Sequence, residues 1–296
     1  MTYFSLSNES LYTFAISFVA IAAVLFALRI YTQVRARQAL KEELAQRDNF
    51  ALGISYASYL LSLVLIIGYL VDDFSLTVMR EEPWKVPLLL ILMLLFTKVG
   101  QAIHRKWILS RFNEEKAILK QNVCAALVDS GMLLGNSIVV IGLVSWSQTN
   151  SMYSLLVVFV NFLFLQGLFA LDSKVREARF AKVNQGASLQ SNFNLENTSI
   201  GIRYAGKSVG MALALYAGLA SANYYSGKMV ENVFTLAVHC GLMWLLVNAM
   251  ARTVLLIVLY RVDTGVEVDH QDNVGIAAVV FSVYCAMGYL LIQFFA

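Results

Sequence analysis

The chain has 296 residues and a formal net charge of +3, with 14% charged residues against 59% from the hydrophobic set. Soluble domains carry about 25% charge, so this composition argues against a soluble globular protein. The small net charge gives no support for nucleic-acid binding. There is no P-loop, GxSxG, HExxH or acidic metal cluster, and the three cysteines show no CxxC spacing. The sequence therefore predicts no enzyme, cofactor or metal site.

Uncharged apolar stretches recur along the chain, and several approach the roughly 20 residues that a helix needs to cross a bilayer. They cover residues 11–27, 50–71, 86–97, 153–171, 233–251 and 274–295. Two further spans, about 123–145 and 199–221, are interrupted by Asp129, and by Arg203 and Lys207. The stretches are continuous rather than alternating, which favours helices over a β-barrel. We predict an all-α polytopic membrane protein with eight transmembrane helices and little chain left for a soluble domain.

Basic residues are concentrated in alternate loops, which predicts the orientation. Sixteen Lys and Arg residues lie in or beside the first, third, fifth and seventh loops, against three in the other loops: Arg80, Lys85 and Lys228. The positive-inside rule then places both termini on the periplasmic or outer side. The first ten residues carry no basic segment, so the first span is expected to be retained rather than cleaved.

An asparagine stands at the predicted cytoplasmic start of every even-numbered span: Asn49, Asn122, Asn197 and Asn273. Counted from each asparagine, offsets 2, 9 and 13 always hold a small residue, and on a helix these offsets point within about 40° of one another. The offset-9 and offset-13 residues are Ser58, Ser62, Gly131, Gly135, Gly206, Gly210, Ser282 and Ala286. Offset 4 is small as well but points elsewhere. We predict four parallel helical-hairpin repeats in two halves, residues 1–147 and 148–296, joined at 147–151.

Two interpretations are open for these positions. The asparagines are good helix N-caps, and they could also ring a cytoplasmic mouth. The small residues permit close packing of helices in lipid, and they could also widen a pore.

The cap and the small residues together resemble the domain of unknown function 350 family. The segments KEELAQRDNFALGI and EEKAILKQNVCAALVDSGMLLG carry the resemblance best, and LENTSIGIRYAGKSVG has an altered loop. In VEVDHQDNVGIAAVVFSVYCA, Ser282 and Ala286 replace both motif glycines. The resemblance implies a bacterial inner-membrane location and a hairpin architecture, and it supplies no catalytic residues.

Asp129, Arg203 and Lys207 are the charged residues deepest in the predicted spans, and Lys98 lies near the inner end of the third span. Charges at such depth are costly and indicate a functional or ion-paired role. From the matching depths of the two residues we predict that Asp129 pairs with Lys98, with Arg203 as the second choice and Lys207 as the third.

Two functions fit the sequence. The first is a membrane scaffold or envelope-stress component whose basic loops recruit a cytoplasmic protein or anionic lipid, and which could form a homo-oligomer. The alternative is a channel or transporter that moves a small ion or solute past the intramembrane charges.

Overall fold

The computed structural model describes residues 41–73, 84–147 and 152–296, with isolated residues between 11 and 26. Regular structure in this part of the chain is entirely helical. The long helices are α1 (Phe50–Asp73), α2 (Lys85–Ile103), α4 (Val123–Ser147), α5 (Met152–Val183), α7 (Thr198–Ser221), α8 (Met229–Val258) and α10 (Val274–Phe295). The short helices are α3 (Glu114–Leu119), α6 (Leu189–Asn192) and α9 (Thr264–Asp269). Two π-helical turns cover Glu42–Gln46 and His104–Ile108, and a 3₁₀ turn covers Phe193–Leu195.

Six of the described long helices are long and apolar enough to cross a membrane. The remaining one, α7, carries Arg203 and Lys207. The prediction of an all-α, multi-pass membrane protein is therefore confirmed. The count of eight spans and the four hairpins stay predictions. The first predicted span and the predicted joint at 147–151 fall largely outside the described residues, so the division into two halves also stays a prediction.

Four helices form a central row in chain order. Helix α1 packs against α4, α4 against α7, and α7 against α10, and these are the most extensive helix contacts in the described chain. Helices α2 and α8 lie beside the row, α2 against α4 and α1, and α8 against α7 and α10. Most residues of α4 and α7 are buried. The core of the described chain therefore lies along this row.

Each helix of the row begins at one of the predicted asparagines. Every asparagine side chain accepts a hydrogen bond from the backbone N–H three residues later, at 2.8–3.1 Å. The residue before each asparagine has a positive φ: Asp48, Gln121, Glu196 and Asp272. This left-handed residue turns the chain sharply, and the cap satisfies one of the N–H groups that a helix start leaves unpaired. The helix-cap interpretation describes all four positions.

The cap asparagines also connect each helix of the row to the next. The Asn49 amide donates to the Ile118 carbonyl at 3.3 Å, Asn122 to Phe193 at 2.9 Å, and Asn197 to Val268 at 3.1 Å. Each acceptor lies in the short segment just before the next cap. The same contact is thus made three times, once at each junction of the row.

The small residues face the following helix of the row. A Cβ added at Gly131 would overlap the Ala205 backbone, and one added at Gly206 would overlap the Phe281 backbone. Gly210 lies equally close to Tyr284, and Gly135 packs against Ser208 and Ala212. Close backbone approach of this kind is how helices associate in lipid.

Helix α10 departs from this pattern. Ser282 and Ala286 are exposed, although both were predicted to pack between helices. Helix α10 is the last described helix of the row, and its small-residue face points outward, so a packing role for these two residues stays a prediction.

Candidate functional site

A first group of polar side chains lies where α2 and its π-helical turn meet α3 and α4. Arg105 donates to Asp129 Oδ1 from Nη2 at 2.9 Å, and its Nε lies 3.3 Å from Glu114 Oε2. The Glu114 carboxylate also lies 3.3 Å from His104 Nδ1. Both carboxylates are buried. We call this group the balanced cluster; its members are Lys98, Gln101, His104, Arg105, Glu114 and Asp129.

The predicted pair of Asp129 with Lys98 is wrong, because Arg105 takes that place. Gln101 lies between the two predicted partners: its Nε2 donates to Asp129 Oδ1 at 3.0 Å, while Lys98 Nζ donates to Gln101 Oε1 at 3.3 Å. Lys98 also lies 4.3 Å from the centroid of the Tyr59 ring. The second-choice partner, Arg203, instead pairs with Asp269. The structure therefore divides the four intramembrane charges between two sites.

The second group of polar side chains surrounds a cavity of about 170 Å³ between α5, α7, α8 and α9. Arg203 and Lys207 reach it from α7, six and ten residues after the Asn197 cap. At 1.5 Å per residue these positions are about 9 and 15 Å along the helix. We call it the cationic cavity; its charged lining is Asp172, Arg176, Arg179, Arg203, Lys207 and Asp269.

The lining of the cationic cavity has more positive than negative charge. Asp172 pairs with Arg176 one turn further along α5, and Asp269 pairs with Arg203. Two cations remain, Lys207 and Arg179. Lys207 is half-buried and lies 5.4 Å from the Tyr284 ring centroid, whereas Arg179 is exposed. Because each carboxylate in the lining is already paired, the cavity has a surplus of two positive charges.

Further polar groups hold the acidic side chains of the cavity in place. Trp244 donates its indole N–H to Asp172 Oδ1 at 2.9 Å, and Asn184 donates to Asp269 Oδ2 at 3.2 Å. These bonds direct the carboxylates toward the walls. The amide side chain of Asn248 also lines the cavity, so the pocket offers polar atoms besides its cations.

Tyr204 lies between the balanced cluster and the cationic cavity. Its hydroxyl is 3.2 Å from His104 Nε2, and its backbone carbonyl accepts from Arg176 Nη1 at 3.2 Å. The Arg176 guanidinium also lies 4.8 Å from the Tyr204 ring centroid. The tyrosine is buried, so it joins the two groups through protein rather than through water.

Several members of these groups were not predicted as site residues: Arg105, Glu114, Asp172, Arg176, Arg179 and Asp269. The Asp172–Arg176 spacing of four residues is a recognisable ion-pair signal on a helix, but α5 continues to Val183, well past the predicted span. Among the described residues, no group of three or more His, Cys, Asp or Glu side chains is placed to hold a metal ion.

Fold and composition define a multi-pass helical membrane protein. Its sequence matches the family described as Domain of Unknown Function (DUF350) over residues 5–144 and 86–192. These stretches together cover more than half of the chain, which therefore belongs to this family, and their overlap is consistent with an internal repeat. No curated protein and no solved structure matches the chain.

Proposed function

We propose that this membrane protein binds a small anionic solute in the cationic cavity, as a channel or transporter would. The observation that carries the proposal is the surplus of Lys207 and Arg179 over the carboxylates of the lining. An unpaired cation inside a membrane helix is costly, and a bound anion would offset that cost. Arginine and lysine together are the usual ligands of carboxylate and phosphate groups.

Inorganic phosphate is a suitable first probe. We expect phosphate to raise the unfolding temperature of the purified protein and to enter proteoliposomes that contain it. Lys207→Gln should abolish both effects. Lys182→Gln is the matched control, because Lys182 is an exposed cation on the same helix as Arg179 and does not line the cavity. Absence of stabilisation and of flux with phosphate, sulfate and acetate alike would reject this function.

A second candidate is the scaffold, in which the basic loops recruit a cytoplasmic protein or anionic lipid. Exposed Lys106, Arg111, Lys116 and Lys120 surround α3, beside the exposed Trp107 ring. The Asn113 cap and the bond from Asn49 to the Ile118 carbonyl hold the backbone of α3 in place. A fixed backbone supports the use of these basic side chains as a docking surface. A pull-down with wild type and with the triple variant Lys106→Gln, Arg111→Gln, Lys116→Gln tests this. A partner retained equally by both proteins would count against the basic surface.

We infer a bacterial inner-membrane location with both termini on the periplasmic side, from the loop charges. In that orientation the asparagine caps and α3, α6 and α9 face the cytoplasm. Reporter fusions after residues 112, 185 and 265 should report cytoplasm, and fusions after 149 and 228 the exterior. The opposite pattern at two of these loops would overturn the orientation.

A further inference from the structure

The central row makes the same junction three times. At offsets 2, 9 and 13 from their caps, α1, α4 and α7 present small residues to the next helix, and all nine of these residues are buried. The next helix contacts these small residues with its opposite face, at offsets 4 and 8. We call the small-residue face the giving face and the opposite face the receiving face. Gly131 thus meets Ala205, Gly206 meets Phe281, and Gly201 meets Cys124, where an added Cβ would lie 2.9 Å from the Cys124 Cα.

At the end of the row, the same small-residue face of α10 has no helix on it within the described chain. Gly275, Ser282 and Ala286, at the same three offsets, are all exposed. Gln293 lies on this face too, because offset 20 points in the same direction as offset 2, and it is also exposed. This face of α10 therefore carries small residues at the same offsets as the giving face at each internal junction.

At the start of the row, it is the receiving face of α1 that is left open by the residues that the structure describes. Ala57, at offset 8, is exposed, and Val64, at offset 15, is 37% exposed. In α7 and α10 the corresponding offset-8 residues, Ala205 and Phe281, lie against the preceding helix of the row. One chain thus has a giving face at one end and a receiving face at the other.

The open face of α10 differs from the surface that α8 presents. The exposed residues of α8 are large and apolar, as lipid contact favours: Val230, Phe234, Val238, Leu242, Leu245, Leu256 and Ile257. The exposed line on α10 is instead small or polar at offsets 2, 9, 13 and 20, and its one large residue, Tyr289 at offset 16, carries a hydroxyl. Serine at offset 9 is compatible with a junction, because Ser58 occupies this offset in α1 and is buried.

We propose that a second copy of this chain docks its α1 on α10 and continues the row across the molecular boundary. The contact is heterologous, because one surface of a copy meets a different surface of the next. Such contacts generate rings when the rotation closes and open assemblies when it does not. The proposal is independent of any solute in the cationic cavity.

Paired cysteines test the contact directly. Offset 9 meets offset 8 at the internal junctions, so Ser282 of one copy should lie beside Ala57 of the next. Two differently tagged copies are co-expressed, one with Ser282→Cys and one with Ala57→Cys. Both carry Cys285→Ala, because Cys285 is partly exposed whereas Cys124 and Cys240 are buried. A short thiol cross-linker should join the two tags. Val238→Cys replaces Ser282→Cys in the control, because Val238 is exposed on α8.

Cross-linking of the mixed pair at least tenfold above the Val238→Cys control would support the proposal. Ser282→Leu should then lower the oligomer mass in mild detergent and leave the helix content of each copy unchanged, because Ser282 is exposed in one copy. Three results would overturn it: a cross-linking yield equal to that of the control, a link between two Ser282→Cys copies, or a monomeric mass for the wild type.

Discussion

The balanced cluster and the cationic cavity differ in charge, although both consist of charged side chains between helices. In the cluster, the carboxylates of Asp129 and Glu114 share the Arg105 guanidinium, and Lys98 is joined to Asp129 only through Gln101. In the cavity, two carboxylates face four cations. Buried carboxylates that share a cation hold a structure together, whereas basic side chains without a carboxylate partner beside an open volume offer a place for an anion. This comparison is our reason for assigning a structural role to the cluster and for proposing a binding role for the cavity.

The largest expected effect is at Arg105. Arg105→Gln leaves the buried carboxylates of Asp129 and Glu114 without their shared cation, which costs about 3 kcal/mol of folding free energy. Thermal unfolding in detergent measures it. Lys106→Gln, one residue away and exposed, should change stability by less than about 0.5 kcal/mol. Equal stability of the two variants would show that the cluster is not structural.

A second prediction concerns the α4–α7 contact beside the two groups. Gly131→Leu should destabilise the protein by about 1–3 kcal/mol, because its side chain would press on the Ala205 backbone. Gly68→Leu is the control, since no atom lies within 4 Å of a Cβ added at Gly68. If both substitutions are tolerated alike, close packing does not fix the positions of the two groups.

The local features of the fold could be predicted from sequence, and the partners of the charges could not. An N-cap needs only an asparagine and the N–H groups of the next turn, so Asn122 and its counterparts are recognisable from the chain alone. The small residues at Gly131 and Gly206 follow from helical periodicity. The outward position of Ser282 could not be foreseen, because periodicity does not say which helix is last in the row.

Depth along a helix predicted the wrong partner for Asp129. Depth fixes the position of a residue along the axis, but the direction of the side chain decides what it meets. The π-helical turn at His104–Ile108 brings Arg105 to Asp129, although Arg105 belongs to the predicted loop. The partner of Arg203, Asp269, lies on α9, a six-residue helix that hydropathy does not detect. Both errors arise where a loop folds back into the membrane helices.

A third prediction separates paired from surplus cations within the cavity. Arg203→Gln should cost about 2 kcal/mol, less than the loss at Arg105, because Asp269 keeps the Asn184 amide as a donor. Lys207→Gln should cost less than about 1 kcal/mol, since it removes a half-buried cation for which the described residues supply no carboxylate partner. Chemical unfolding of both variants in detergent measures the difference. A larger loss at Lys207 than at Arg203 would contradict the assignment of surplus charge.

The smallest expected effect is at Tyr204, which joins the two groups. Tyr204→Phe removes the hydroxyl beside His104 and should cost about 1 kcal/mol. The substitution keeps the aromatic ring and its two contacts. The ring centroid lies 5.2 Å from that of Phe193 and 4.8 Å from the Arg176 guanidinium carbon. Phosphate stabilisation should therefore be unchanged. Tyr260→Phe is the control, because Tyr260 is 71% exposed.

A double variant then tests whether the groups act independently. Tyr204 lines the cavity as well, but its hydroxyl faces His104, whereas Lys207 lies over the Tyr284 ring. The effects of Tyr204→Phe and Lys207→Gln on stability should therefore add within about 0.5 kcal/mol. Non-additivity beyond that limit, or loss of phosphate stabilisation in Tyr204→Phe alone, would show that the hydroxyl transmits changes between the two groups. The balanced cluster would then be part of the binding site, and the distinction between a structural and a binding group would no longer hold.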